Sequence, residues 1–195
     1  LLVADQAAFL PLPVVPFEAC RKVSTTASSL SLVRFDSNDY SVPVRWAHHP
    51  IVVKGYWQEV VLCAQGEVVA RHRRSWESEQ VTFEPLHYLA LLERKPGALD
   101  HAKPLAGWIL PECFLLLRRR LEAERDGDGT REYIRVLRLL EKHPLAELRP
   151  AVEQGLKAGA LTRDALAQFL HPQPEWRLRS EEHTSELQSR QYLVC

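Results

Sequence analysis

Between Leu30 and Trp76 the apolar residues of this chain alternate with polar ones or gather in short β-branched and aromatic runs, and from Pro85 onward they recur at the spacing of a helix. No single backbone serves both a period of about 2 and a period of about 3.6. The change therefore divides the chain into a β half and a helical half. Leu30, Leu32 and Val33 run up to Phe35, the turn residues Asp36, Ser37, Asn38 and Asp39 follow, and Tyr40 to Val44 resumes the extended chain. Ile51 to Trp57 is a second strand-like run, and Glu59 to Ala64 with Glu67 to His72 frames a hairpin around Gln65 and Gly66. About five short strands with polar turns and no helical period between them favour a small antiparallel β-barrel over alternating strands and helices.

In the second half, Leu86, Leu89, Ala90 and Leu92 mark a short helix ended by Lys95, Pro96 and Gly97. Pro111 opens a helix that stops at Asp126 to Gly129. Thr130 is expected to cap a helix over Arg131 to Lys142, with Tyr133, Ile134, Leu137 and Leu140 on one stripe. Pro144 starts another that runs to Gly159, where Pro150 should kink or split it, and Thr162 with Asp164 begins a last helix through Leu170. The expected fold is thus β-barrel plus α: a barrel over residues 30–80, then a helical region over residues 84–170.

The two ends read differently. Residues 1–29 carry Pro11, Pro13 and Pro16 and then the run Ser24 to Ser29, the composition of a connector. With no methionine and an opening of Leu1, Leu2 and Val3, the sequence is expected to be an internal fragment of a longer protein. Residues 171–195 are expected to be a disordered tail. Within it, residues 179–189 (RSEEHTSELQS) spell the translation of a widely used sequencing adapter, so residues 179–195 are expected to be artefactual and excluded from fold reasoning.

Lys+Arg and Asp+Glu balance at 25 each, so no global field draws the chain to nucleic acid or to a membrane, and any such contact must come from a local patch. Two basic patches exist, at Arg71 to Arg74 and Arg118 to Arg120. No apolar run approaches the ~20 residues of a membrane span, and a cytoplasmic protein is the default expectation. Cys20, Cys63, Cys113 and Cys195 lack CxxC spacing, which speaks against both a disulfide framework and a zinc site. His48 and His49 would point to opposite faces of a strand, so they and His72 are expected to bind no metal. Asp36 with Asp39, and Asp126 with Asp128, sit where turn aspartates satisfy their own backbone. GxxxxGK[ST], GxGxxG and GxSxG are all absent from the sequence. Local chemistry offers no catalytic residue, no cofactor and no metal.

Arg71, Arg73 and Arg74 stand out because cations at a strand end beside Trp76 set phosphate-binding groups next to a stacking surface. A solvated strand end would look the same. With Arg45 and Lys54 these three form the candidate DNA-binding set. Arg118, Arg119 and Arg120 fan over nearly a full helical turn, so only part of that group can address one partner. Trp46, Trp57, Trp76 and Trp108 read as core and rim aromatics.

Residues 38–46 (NDYSVPVRW) and 66–76 (GEVVARHRRSW) resemble the barrel that follows the catalytic domain in IstA-type transposases, those of insertion-sequence family twenty-one. Residues 87–108 (HYLALLERKPGALDHAKPLAGW) and 131–141 (REYIRVLRLLE) are similar to the helical region after that barrel, and residues 10–13 and 16–20 to the connector before it. The resemblance covers about residues 8–170. It implies a Mu-transposase-like barrel that packs on a catalytic core and contacts DNA, and a helical tail that meets an IstB-type AAA+ ATPase. Insertion-sequence DNA and a transposase homo-oligomer are the other partners it implies. The family's RNase H-like domain, whose two Asp and one Glu hold two metal ions, would lie upstream of Leu1, so the fragment is expected not to be an enzyme. The rivals are a pure protein-interaction module that buttresses the missing catalytic domain without binding DNA, and an unrelated enzyme with a concave site of convergent titratable groups. A contiguous positive face including Arg71, Arg73 and Arg74 would favour DNA; one broken by Glu59 and Glu67 would favour buttressing.

Overall fold

The computed structural model of the chain describes residues 14, 17–125 and 127–170. The expected tail and most of the proline-rich start lie outside the described residues. The chain divides into two compact units, one ending at His87 and the other beginning at Tyr88.

Among the described residues the first unit holds seven strands: β1 (Arg21–Thr26), β2 (Leu32–Phe35), β3 (Asn38–Ser41), β4 (Pro50–Gly55), β5 (Glu59–Ala64), β6 (Glu67–Arg73) and β7 (Val81–Thr82). They form two sheets, ordered β1-β4-β5-β6 and β2-β3-β7. Two-residue loops make the hairpins: Asp36 and Ser37 (φ 46° and 65°) join β2 to β3, and Gln65 and Gly66 (φ 52° and 85°) join β5 to β6. Paired positive φ values match the strand twist, which is why such short connections hold the register.

Three expectations change here. Residues 21–26 fall in the stretch read as connector, yet they form β1, paired antiparallel with β4 from Arg21 opposite Gly55 to Thr26 opposite Pro50. A strand at a sheet edge needs little apolar content of its own; the free backbone groups of β4 supply its partners. The sheets also do not close into one barrel among the described residues. The ladder stops because the second neighbour of β3 is the two-residue β7, which pairs with it in parallel. Side chains bridge the seam instead: His72 Nε2 donates to the Ser41 carbonyl at 2.6 Å, and Asn38 Nδ2 donates to the carbonyls of Ser75 and Glu77. The antiparallel rule therefore holds for every pair but β3–β7.

Both sheets give one face to a common core of Val33, Phe35, Tyr40 and Val42 against Ile51, Val53, Val60, Leu62 and Ala70. Alternation along β6 places Ala70 and His72 inward and Arg71 and Arg73 outward. Burial of large apolar side chains at about 25 cal/mol per Å² is what sets this register.

Among the described residues the second unit holds α1 (Leu89–Arg94), α2 (Glu112–Glu124), α3 (Gly129–Leu137), α4 (Leu145–Ala158) and α5 (Arg163–Leu170), with 3₁₀ segments at Pro96–His101 and Lys103–Leu105 between α1 and α2 and at Arg138–Glu141 between α3 and α4. Phe114, Leu117, Leu121, Ile134, Leu137, Leu148, Val152 and Leu166 form its buried side. Thr162 caps α5 as the sequence suggests, its Oγ1 accepting the Ala165 N–H at 3.3 Å. Thr130 does not cap: it lies one residue inside α3, behind Asp128 at the N-cap, and its hydroxyl donates to Glu122. Pro150 does not break α4, which runs through it for 14 residues. Only one intrahelical bond is lost there, and buried Leu148, Ala151 and Val152 on either side hold the helix down.

Candidate nucleic-acid interface

At one end of the four-stranded sheet, the β4–β5 turn meets the chain leaving β6, and between them lies an open cleft of ≈ 980 Å³. Arg71, Arg73 and Arg74 all line it, with Trp57, Trp76 and Glu59. Arg45 and Lys54 do not. Arg45 is exposed on a 3₁₀ turn with its guanidinium 5.8 Å from the Trp46 ring. Lys54 is bound at 2.8 Å to Glu18, which also takes Lys22 at 2.7 Å.

The three arginines are not equivalent. Arg74 is only 13% exposed: it pairs with Asp36 at 2.6 Å, donates to the Tyr56 carbonyl at 2.7 Å, and places its guanidinium 3.9 Å from the Trp76 ring centroid. Its Nε is buried without a hydrogen-bond partner, a cost that the other contacts offset. Arg71 is 59% exposed and meets Glu59 at 3.0 Å, a surface pair worth ~0–1 kcal/mol and easily exchanged. Arg73 is exposed and has no ion-pair partner among the described residues. Glu59, directly opposite Arg73 in the ladder, interrupts the positive face. Glu67, at the far end of β6 opposite Ala64, does not line the cleft.

Asp36 is more than a turn residue, since its second oxygen holds Arg21 at 2.6 Å. Trp57 and Trp76 depart furthest from the expectation of core and rim aromatics. They are 75% and 60% exposed, and their rings lie 4.8 Å apart at 48°. The signal for Trp57 was present as an aromatic followed by Gln58 and Glu59 between two strand runs, but only the folded sheet brings it to Trp76. Trp46 does pack against the core.

The histidines have structural surroundings. His72 is buried, and His87 joins it with ring centroids 5.7 Å apart while its Nδ1 lies 2.9 Å from Ser41 Oγ. Burial pushes both imidazoles below their ordinary value, His87 to about 4 with a further contribution from neighbouring His72. Among the described residues no three His, Cys, Asp or Glu side chains gather in a metal-binding group, and Cys20, Cys63 and Cys113 are free thiols.

In the helical unit, Arg118 is taken up by Asp100 and Glu122 at 2.7 Å each, and Arg120 donates to the Leu156 carbonyl. Arg119, with exposed Leu116, lines a groove of ≈ 760 Å³ between α2 and α4. No helix among the described residues is long and apolar enough to cross a membrane.

Residues 12–84, which contain the whole cleft, match the family described as Mu transposase, C-terminal domain. The chain is similar to a transposase of Aminobacter aminovorans, 32% identical over 161 residues, covering 80% of this chain and 31% of the relative. It is also similar to a transposase for insertion sequences IS1326/IS1353 of Pseudomonas aeruginosa, 30% identical over 171 residues, covering 85% of this chain and 33% of the relative. A transposase of Shigella flexneri with the same description matches to the same extent. The chain thus spans about a third of the length of these relatives. No solved structure matches significantly. The sheet unit therefore carries the match to the Mu transposase C-terminal domain, and the chain as a whole is similar to insertion-sequence transposases.

Proposed function

We propose that this chain is the C-terminal, non-catalytic part of an IstA-type insertion-sequence transposase, and that its sheet unit contacts DNA through the cleft at the end of β6. One observation carries this reading: three arginines and two exposed tryptophans share a single open cleft, and Arg73 offers a cation that no carboxylate among the described residues holds. Cations that meet phosphates release counterions and bind duplex without regard to sequence. The parent's cut-and-join chemistry, with its Asp, Asp and Glu and its metal ions, belongs to a part outside this chain, whose own residues need neither metal nor cofactor. The helical unit is the part that meets an IstB-type AAA+ ATPase, and its basic and apolar groove beside Arg119 and Leu116 supports a protein contact there. The parent acts as a homo-oligomer on insertion-sequence DNA in the cytoplasm.

Glu59 and Asp36 favour a second reading, the buttress for the catalytic domain, because they neutralise Arg71 and Arg74 within the cleft. Fluorescence anisotropy with a labelled duplex at low salt separates the two. DNA contact requires saturable binding that Arg73→Ala weakens several-fold for all sequences alike; equal affinity of the variant, or no binding by either, would leave the buttress as the account of this unit.

A further inference from the structure

The pairing of Trp57 with Trp76 is not needed to fill the core, since both rings are mostly in water. Isolated exposed aromatics are ordinary, but two indoles held against each other are a defined surface. Their positions are fixed from below. The Arg74 backbone N–H donates to the Gln58 carbonyl at 2.9 Å and its guanidinium to the Tyr56 carbonyl, so one residue pins the turn on both sides of Trp57 while stacking on Trp76. The platform is therefore formed before any ligand arrives, and little ordering entropy is lost on binding. Beside it, Arg71 and Arg73 project from the outer face of β6 two residues apart, about 7 Å along the strand.

We infer that Trp57 and Trp76 form a stacking platform for unpaired nucleotides, so that the cleft takes single-stranded DNA, such as a frayed or overhanging end, in preference to intact duplex. This rests on the DNA-contact reading above and names the form of DNA. Bases within a duplex already stack on one another and expose no face to an indole; unpaired bases do. Arg73 and Arg71 then neutralise the phosphates on either side of the stacked base. A proline-rich peptide is the other ligand that aromatic grooves accept, but its prolines offer no negative charge to Arg73, which has no ion-pair partner among the described residues.

The test uses the full chain and three labelled probes: oligodeoxythymidine, a blunt duplex, and the same duplex with a short oligothymidine overhang. Stacking of one base on an aromatic corresponds to roughly tenfold in Kd. The overhang and single strand should bind about tenfold more tightly than blunt duplex. Trp57→Ala should weaken the overhang and the single strand about tenfold relative to blunt duplex and so abolish that preference, and Trp57→Phe should keep most of it. Trp57 is exposed in a turn, and an unchanged melting temperature of the Ala variant checks that it folds. Equal wild-type affinity for blunt and overhanging duplex, with Arg73→Ala still weakening both, would overturn the platform and leave DNA contact standing. Absence of binding to every probe would overturn both. Saturable binding of a proline-rich peptide that oligodeoxythymidine does not displace would also overturn the platform.

Discussion

The guanidinium of Arg74 lies 3.9 Å from the ring centroid of Trp76 while its Nη2 holds Asp36 at 2.6 Å, so one of the three candidate phosphate-binding arginines is committed to organising the cleft. Of the three, Arg73 is the one with no ion-pair partner among the described residues. What the Arg74 side chain does depends on partners brought from the β2–β3 turn and the β4–β5 turn, and the first prediction follows from it.

Arg74→Ala should destabilise the chain by about 2 kcal/mol, combining a lost cation–π contact with a partly buried ion pair and an unpinned turn. Arg74→Lys should recover less than half of this, because an ammonium keeps the charge but cannot stack flat on Trp76 while bridging Tyr56 and Asp36. Urea unfolding followed by tryptophan fluorescence measures both. Equal stability of Arg74→Ala and wild type would contradict the clamp.

On duplex DNA, log K should fall against log salt, and Arg73→Ala should flatten the slope by about 0.9, the value for one phosphate. Arg71→Ala should contribute less than this, because Glu59 competes for the same guanidinium. Arg74→Ala, by contrast, should act on stability and leave the slope nearly unchanged. A titration series at several salt concentrations distinguishes the three.

His72 and His87 are held neutral by burial, His87 down to about 4 from an ordinary 6.5. The unfolded chain binds those protons first as pH falls. The contribution of His87 to stability is thus complete above about pH 6.5 and is lost progressively between about 6.5 and 4, on the order of 1–3 kcal/mol, and buried His72 acts in the same direction. Thermal melts across that window should show the decline, and His87→Asn should reduce it. A flat melting temperature from pH 7 to pH 4 would show that the pair is not buried neutral.

Gly155→Ala should destabilise, against the usual trend for helices. Alanine gains about 1 kcal/mol over glycine in a helix interior. Here, however, an added Cβ would stand 2.3 Å from Leu166 Cδ2 and 2.7 Å from the Ala160 carbonyl oxygen, and overpacking costs about 1–3 kcal/mol. The leucine can shift; the backbone oxygen cannot. A net loss of about 1 kcal/mol in denaturant melts is expected, and a gain would mean that the α4–α5 contact is looser than described.

Much of this protein is written in local pattern. The change of period at Pro85, the hairpin at Gln65 and Gly66, the turn at Asp36 and the cap at Thr162 each depend on residues within a few positions of one another, where sequence spacing alone fixes the geometry. Arg71, Arg73, Arg74 and Trp76 were legible as a group for the same reason. Tertiary structure decided what no local window contains. Arg21 to Thr26 became a strand only because β4 offered an unpaired edge. Among the described residues the two sheets do not close into one barrel, because β3 has the short β7 as its second neighbour. Trp57 joined Trp76, and Asp36 captured Arg74 across 38 residues of sequence, because contacts at such separation are set by sheet register, and register follows from burying one face of every strand at once.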